Sequence, residues 1–105
     1  MAYYVYVIEL DKAVVNIRRF LDENPDYVPG MACFYVGQTA INPVERFDQH
    51  RKGYKANRYA KKFGLWLRPR LFQKYNPIAT REEAEAQEKA LAEYLRGKGH
   101  GVWYG

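Results

Sequence analysis

In the stretch CFYVGQTAINPVERFDQH, residues 33–50, Tyr35 and Gly37 stand just ahead of Arg46 and His50, which are four residues apart. On a helix that spacing places guanidinium and imidazole on one face. A guanidinium grips phosphate oxygens in a fixed fork, and an imidazole or phenol can accept or pass on a proton. The four together would suit chemistry on a phosphate ester. A plainer alternative stays open: Val44, Phe47 and His50 form the packing side of the helix, and Tyr35 is one of ten tyrosines, a core aromatic like Tyr6.

A second unusual residue lies far along the chain. In TREEAEAQEKALAEYLRGKG, residues Ala84, Glu88, Leu91 and Leu95 are spaced by four, three and four, one stripe of a helix. Glu88 occupies a position where the pattern expects an apolar side chain. A carboxylate there either reaches water or an arginine at the edge of the stripe, or is buried and requires a charged partner such as a metal ion.

The elements that must position these residues follow from local pattern. YYVYVIEL, residues 3–10, has the β-branched and aromatic composition of a strand, apolar on both faces and therefore central. KAVVNIRRFLD, 12–22, repeats apolar residues at 14, 17, 20 and 21, which predicts a helix. ENPDYVPG breaks it. Residues 32–37 form a second strand carrying Tyr35 and Gly37 on one face. Asn42 as N-cap, Pro43 at the first helical position and Gly53 as stop predict a helix over 43–52. A short helix over 56–63 ends at Gly64. LWLRPRLF, 65–72, alternates, and Pro69 makes it an edge strand. Thr80 and Glu83 form a capping box for the last helix, which ends at Gly97 or Gly99. GVWY could add a last short strand. The sum is a mixed α+β domain with a small central antiparallel sheet of about three strands flanked by helices.

Composition bounds the function. The 105 residues suffice for one domain, and 48% hydrophobic content gives it a modest core. A single cysteine, Cys33, excludes an internal disulfide framework and a cysteine-rich zinc site. No apolar run is of membrane-spanning length and no signal peptide is apparent, so a cytoplasmic protein is expected. The net charge of +5 is unevenly spread. Ten basic residues and one acid, Asp48, lie between Arg46 and Lys74, while the remainder is net acidic. Such a block suits a polyanion, or it is a solvated basic face. Tyr54, Tyr59, Phe63 and Trp66 are interleaved with it, and any left exposed could stack on bases.

The motifs YVYVI at 4–8, YVG at 35–37, ERFDQH at 45–50 and EAEAQEKAL at 83–91 resemble, in order, those of a GIY-YIG nuclease domain, over most of the chain. Tyr4 replaces the glycine of the first motif. The resemblance implies an antiparallel sheet flanked by helices and a DNA endonuclease that uses Mg²⁺ or Mn²⁺. It implies catalytic roles for Tyr6, Tyr35, Arg46, His50 and Glu88, with Glu88 holding the metal. Tyr35, its pKa lowered by cationic neighbours, would deprotonate water. His50 would take that proton onward or act as the base itself. Arg46 would clamp the phosphate, Tyr6 would orient water or phosphate, and Gly37 would keep the backbone clear for substrate. Gln38, Lys55, Arg58, Lys61 and Lys62 would contact DNA. The alternative function is a catalytically weak or inactive nucleic-acid-binding module of the same fold. Two departures stand out. The 28 residues between Tyr6 and Tyr35 replace a short hairpin with a helical insertion at about 11–31, a candidate surface for a homodimer. No asparagine follows Asn76, where family members often have one beyond the metal glutamate.

Overall fold

Antiparallel pairing of two seven-residue strands builds the centre of the computed structural model, which describes residues 1–105. Strand β1 (Tyr4–Leu10) pairs with β2 (Cys33–Thr39) so that Tyr6 faces Gly37 and Ile8 faces Tyr35. A short third strand, β3 (Gly64–Leu67), pairs antiparallel with the other side of β1, and β4 (Gly101–Tyr104) pairs parallel with β2. The order is β3-β1-β2-β4. The sheet therefore has four strands and is mixed, where about three antiparallel strands were expected. The terminal GVWY can run parallel to β2 because the long helix before it carries the chain back across the sheet.

Directly paired residues share a face, so Tyr6, Tyr35, Gly37, Gly101 and Trp103 lie together. That face is covered by α1 (Arg18–Asp22), α2 (Pro43–Lys52) and α3 (Arg58–Phe63): Phe20 meets Tyr59 edge-on at 5.7 Å, and Tyr59 packs on Trp103 at 4.8 Å. The opposite face offers Val5, Val7, Val36 and Val102, all fully buried. It is covered by α4 (Arg81–Gly97), through Ala84, Leu91, Ala92 and Leu95. Thr80 caps α4 through the Glu83 N–H, as its sequence predicts. Asn42 caps α2 in the same way, and Gly53 ends it in the left-handed conformation at φ 84°.

Two elements differ from expectation. The helix predicted over 12–22 divides into a 3-10 turn at Lys12–Asn16 and α1, with Ile17 extended between them. The Asp11 carboxylate caps the first turn through the Ala13 N–H, and adjacent β-branched Val14 and Val15 weaken its continuation. The strand predicted over 65–72 stops at Leu67, because Pro69 opens a 3-10 turn instead of extending the ladder. It is an edge strand, as read.

The segment between β1 and β2 does not offer its apolar stripe to a second copy. Val14 and Phe20 are fully buried in the chain's own core, and Ile17 packs against it. Only Leu21 stays substantially exposed. Buried Asn24 stitches the segment in: its Nδ2 donates to Phe20 O, while its Oδ1 accepts from Val102 N–H and Arg96 Nε. The homodimer expected through this helix thus loses its basis, since the face that would mediate it is already occupied. Asn76 acts comparably at β1, where its amide both donates to and accepts from the Val5 backbone at 2.8 and 2.9 Å, as a neighbouring strand would.

Candidate active site

A cleft of about 530 Å³ opens at one end of the β1–β2 pair, lined by Tyr6, Tyr35, Gln38, Arg46, Lys55, Ala56, Asn57, Glu85, Glu88 and Gly105. Strands supply the phenols, α2 the guanidinium, the loop between α2 and α3 the lysine, and α4 the carboxylates. Residues remote in sequence converge because β1 and β2 are adjacent and α2 and α4 pack on opposite faces of them.

Tyr6 is 1% exposed, and its phenol lies across Gly37 on the neighbouring strand. A Cβ at position 37 would overlap that ring. Close packing of Tyr6 is therefore a sufficient reason for a glycine at position 37. The Tyr6 hydroxyl bonds His50 Nε2 at 2.8 Å. His50 Nδ1 accepts the Asn57 backbone N–H at 3.3 Å, so the neutral ring carries its proton on Nε2 and donates to Tyr6. His50 is fully buried behind Tyr6 and does not line the cleft. Burial, with Arg46 nearby, lowers its pKa to about 4, so it is neutral at physiological pH.

Tyr35 sits 6.1 Å from Tyr6, centroid to centroid. Its pKa is pushed up to about 12. Burial dominates and the Glu88 charge adds to it; donation from Tyr6 and the charge of Arg46 pull the other way without prevailing. The expected lowering by cations is thus reversed, because the phenol is desolvated more than it is compensated. Burial raises Tyr6 as well, well above the usual phenol range.

Glu88 is 8% exposed and has no ion-pair partner. Burial and neighbouring Glu85 raise its pKa to about 7, against a stabilising N–H from Gln38. Of its two sequence readings, a solvated edge residue or a buried carboxylate, the structure shows the buried one. No three His, Cys, Asp or Glu side chains gather anywhere in the chain. Of the cleft residues, Glu88 is the carboxylate that could hold a hard divalent cation, with Glu85 also in the lining.

Arg46 NH1 donates to Gln49 Oε1 at 3.0 Å and Tyr54 O at 3.1 Å, and NH2 donates to Lys55 O at 2.8 Å. No carboxylate neutralises it. Of the four other cations assigned to DNA contact, only Lys55 lines the cleft. Arg58 lies over the Tyr59 ring, Lys61 over Gly53 and Lys62 over Phe63, all exposed on the outer surface of the α3 region. Tyr54 and Trp66 are exposed, whereas Tyr59 is buried and Phe63 half-buried. Sequence reasoning passed over Glu85 and Asn57. Glu85 was legible as the acid three residues before Glu88. Asn57 was legible as an N-cap, and its Oδ1 accepts from Tyr59 and Ala60 N–H groups.

Comparison with known families bears directly on this arrangement. The family model of the GIY-YIG catalytic domain matches residues 2–98, nearly the whole chain. The chain belongs to the GIY-YIG family. No curated protein and no solved structure matches it. Members of this family are endonucleases, generally dependent on a divalent metal, so the GIY-YIG domain here implies nuclease activity on a nucleic acid. No helix of this member is long and apolar enough to cross a membrane.

Proposed function

We propose that this GIY-YIG protein is a DNA endonuclease that hydrolyses phosphodiester bonds with Mg²⁺ or Mn²⁺. The observation that carries the reading is a buried carboxylate, Glu88, with no cation of its own, in a cleft shared with Tyr35 and Arg46. Glu88 would hold the ion, which supplies charge neutralisation at the leaving oxygen. Arg46 and Lys55 give the cleft a positive potential that draws the phosphate in.

Tyr35 is the phenol placed to handle the proton of the attacking water. Tyr35 is a protonated phenol in the metal-free protein, its pKa pushed up to about 12 by burial and by the Glu88 charge. Its oxygen receives the water proton as its own proton passes to solvent in the open cleft. The buried Tyr6 supports Tyr35 by donation, and His50 fixes the Tyr6 oxygen from behind. His50 therefore acts as a positioning residue and not as the base. The exposed cations Arg58, Lys61 and Lys62 would extend the phosphate contacts along α3.

The test is cleavage of single-stranded, duplex and branched DNA with and without Mg²⁺ or Mn²⁺. Metal-dependent cutting is expected, abolished in Glu88→Ala. Tyr35→Phe should lose turnover by a factor on the order of a hundred or more while its melting temperature and DNA affinity hold. Binding of DNA without cutting under every metal condition would instead establish the non-catalytic binding module.

A further inference from the structure

The outer edge of the sheet holds a second cavity, of about 330 Å³, lined by Glu23, Arg96, Trp103 and Tyr104. β4 is the last strand on that side, so its outward backbone groups have no strand to meet. At Val102 side chains take the place of a strand: Asn24 Oδ1 accepts the N–H and Arg96 NH2 donates to the carbonyl at 2.7 Å. Tyr104, two residues on, turns its N–H and C=O to the same edge and lines the cavity. Arg96 also donates through Nε to Asn24 Oδ1, and its guanidinium carbon lies 5.4 Å from the centre of the Tyr104 ring. It forms no ion pair, with Glu23 or any other acid. Trp103 and Tyr104 are half-buried.

This cavity neighbours the cleft. β4 runs back along α4, from Val102 beside Arg96 to Gly105, which lines the cleft with Glu85 and Glu88. The helix from Glu88 to Arg96 rises about 12 Å. About three or four stacked nucleotides cover that distance, and fewer do so when the strand is extended. With one cation and one anion among its lining residues, the cavity has no excess charge to hold a second phosphate. Free N–H groups on Arg96, carboxylate oxygens on Glu23 and two flat rings instead match the edges and faces of a neutral heterocycle.

We propose that this cavity receives an unpaired base of the nucleic-acid strand whose phosphate lies in the cleft. The inference deepens the nuclease reading and rests on it for the identity of the strand. The base stacks on the Tyr104 ring and the guanidinium plane. Arg96 donates to its ring-nitrogen and carbonyl acceptors, and Glu23 accepts from its amino group. A base inside a duplex is stacked and paired, so it cannot offer a face and an edge together. The preferred substrate therefore carries single-stranded nucleotides beside the phosphate that is cut.

In a Trp66→Phe protein Trp103 is the sole tryptophan, and its fluorescence reports on the cavity. The metal-free protein is titrated with a blunt duplex and with the same duplex carrying a single-stranded extension at either end. The extended duplex should quench Trp103 and bind about tenfold more tightly than the blunt one. Tyr104→Leu keeps apolar bulk but loses the ring face, and thermal unfolding verifies that it folds. It should remove that advantage while affinity for the blunt duplex holds. The slope of log affinity against log salt should not change, because stacking releases no counterions. Tyr104→Phe should behave as the wild type.

Equal binding of the two DNAs, or an equal loss on both in Tyr104→Leu, would overturn the base site, and so would a smaller salt slope in that variant. If the protein binds no DNA at all, the nuclease reading fails while a free nucleoside still decides the inference. Quenching of Trp103 that Tyr104→Leu abolishes upholds a base site, and no quenching refutes it.

Discussion

Replacing Glu88 with glutamine should make the metal-free protein more stable at pH 8 and leave it unchanged near pH 4.5. The side chain is buried and nearly the same size, so packing is retained while ionisation is lost. A glutamate in the unfolded chain titrates near 4.5, whereas in the fold Glu88 titrates near 7. Below 4.5 both states hold the proton and no penalty exists. As pH rises from 4.5 through 7 the unfolded chain gives up its proton first, so folding stability declines, and above 7 the full penalty is in place. The separation corresponds to about 3 kcal/mol of preference for the protonated form. Because the carboxylate opens on a wet cleft, about 2 kcal/mol is a fair expectation after solvent screening.

For a domain of this size that is a rise of about ten degrees in melting temperature. Scanning calorimetry of both proteins from pH 4.5 to 8 reads it directly. His50 titrates in the opposite sense: its folded pKa of about 4 lies below its ordinary 6.5, so its contribution is lost as pH falls through that window. It does so in both proteins and cancels in their difference. Adding Mg²⁺ at pH 8 should raise the melting temperature of the wild type alone, since the substitution removes the carboxylate proposed to hold it. Identical melting curves for the two proteins at every pH, with no metal effect, would mean that the carboxylate is a solvated residue at the edge of the α4 stripe.

Gly37→Ala should destabilise the wild type by about 3 kcal/mol through overlap with the Tyr6 ring; in a Tyr6→Leu background urea unfolding should show most of that cost gone, and an equal cost in both backgrounds would return Gly37 to a substrate role. Tyr59→Phe should gain about 1 kcal/mol, because the Tyr59 hydroxyl is buried with no partner, and a drop in melting temperature would contradict that. Joining residue 10 to residue 32 by a short turn should abolish cooperative unfolding, because it removes Val14, Phe20 and Asn24 from the core; a sharply melting product would show the segment to be a dispensable addition.

What could be read from sequence was whatever depends on local chemistry. The caps at Asn42 and Thr80, the stop at Gly53 and the two long strands follow from residue type and spacing alone, and so does the displaced carboxylate on the α4 stripe. The Tyr6, Tyr35, Arg46 and Glu88 cluster was legible through motif order. What was not legible depends on what meets what across the fold. Gly37 could be seen to matter, but only the register that sets it opposite Tyr6 says why. Tyr35 was surrounded by cations on paper, yet burial outweighs them, and burial is a tertiary quantity. The stripe at 14, 17 and 20 was visible; that it packs inward depends on Gly101 leaving room for the Phe20 ring.

The cleft is costly to assemble, and that bears on why residues 11–31 are integral to this protein. An unpaired buried carboxylate at Glu88, Lys55 in a left-handed conformation, two desolvated phenols and a histidine held neutral each lower stability relative to an apolar alternative. All but the buried His50 also line the cleft before substrate arrives, which is where preorganised charge is most effective. A chain of this length buries only a modest core with which to offset those costs. The segment between the two tyrosine strands adds Phe20 against Tyr59 and Val14 to the same core, and Asn24 ties β4 to α1 and α4. Tyr59 opens α3 directly after the loop carrying Lys55 and Asn57, its N–H bonded to Asn57 Oδ1, and Trp103 packs on its ring from β4. The packing added by residues 11–31 thus supports α3, whose Asn57 cap is part of the cleft lining.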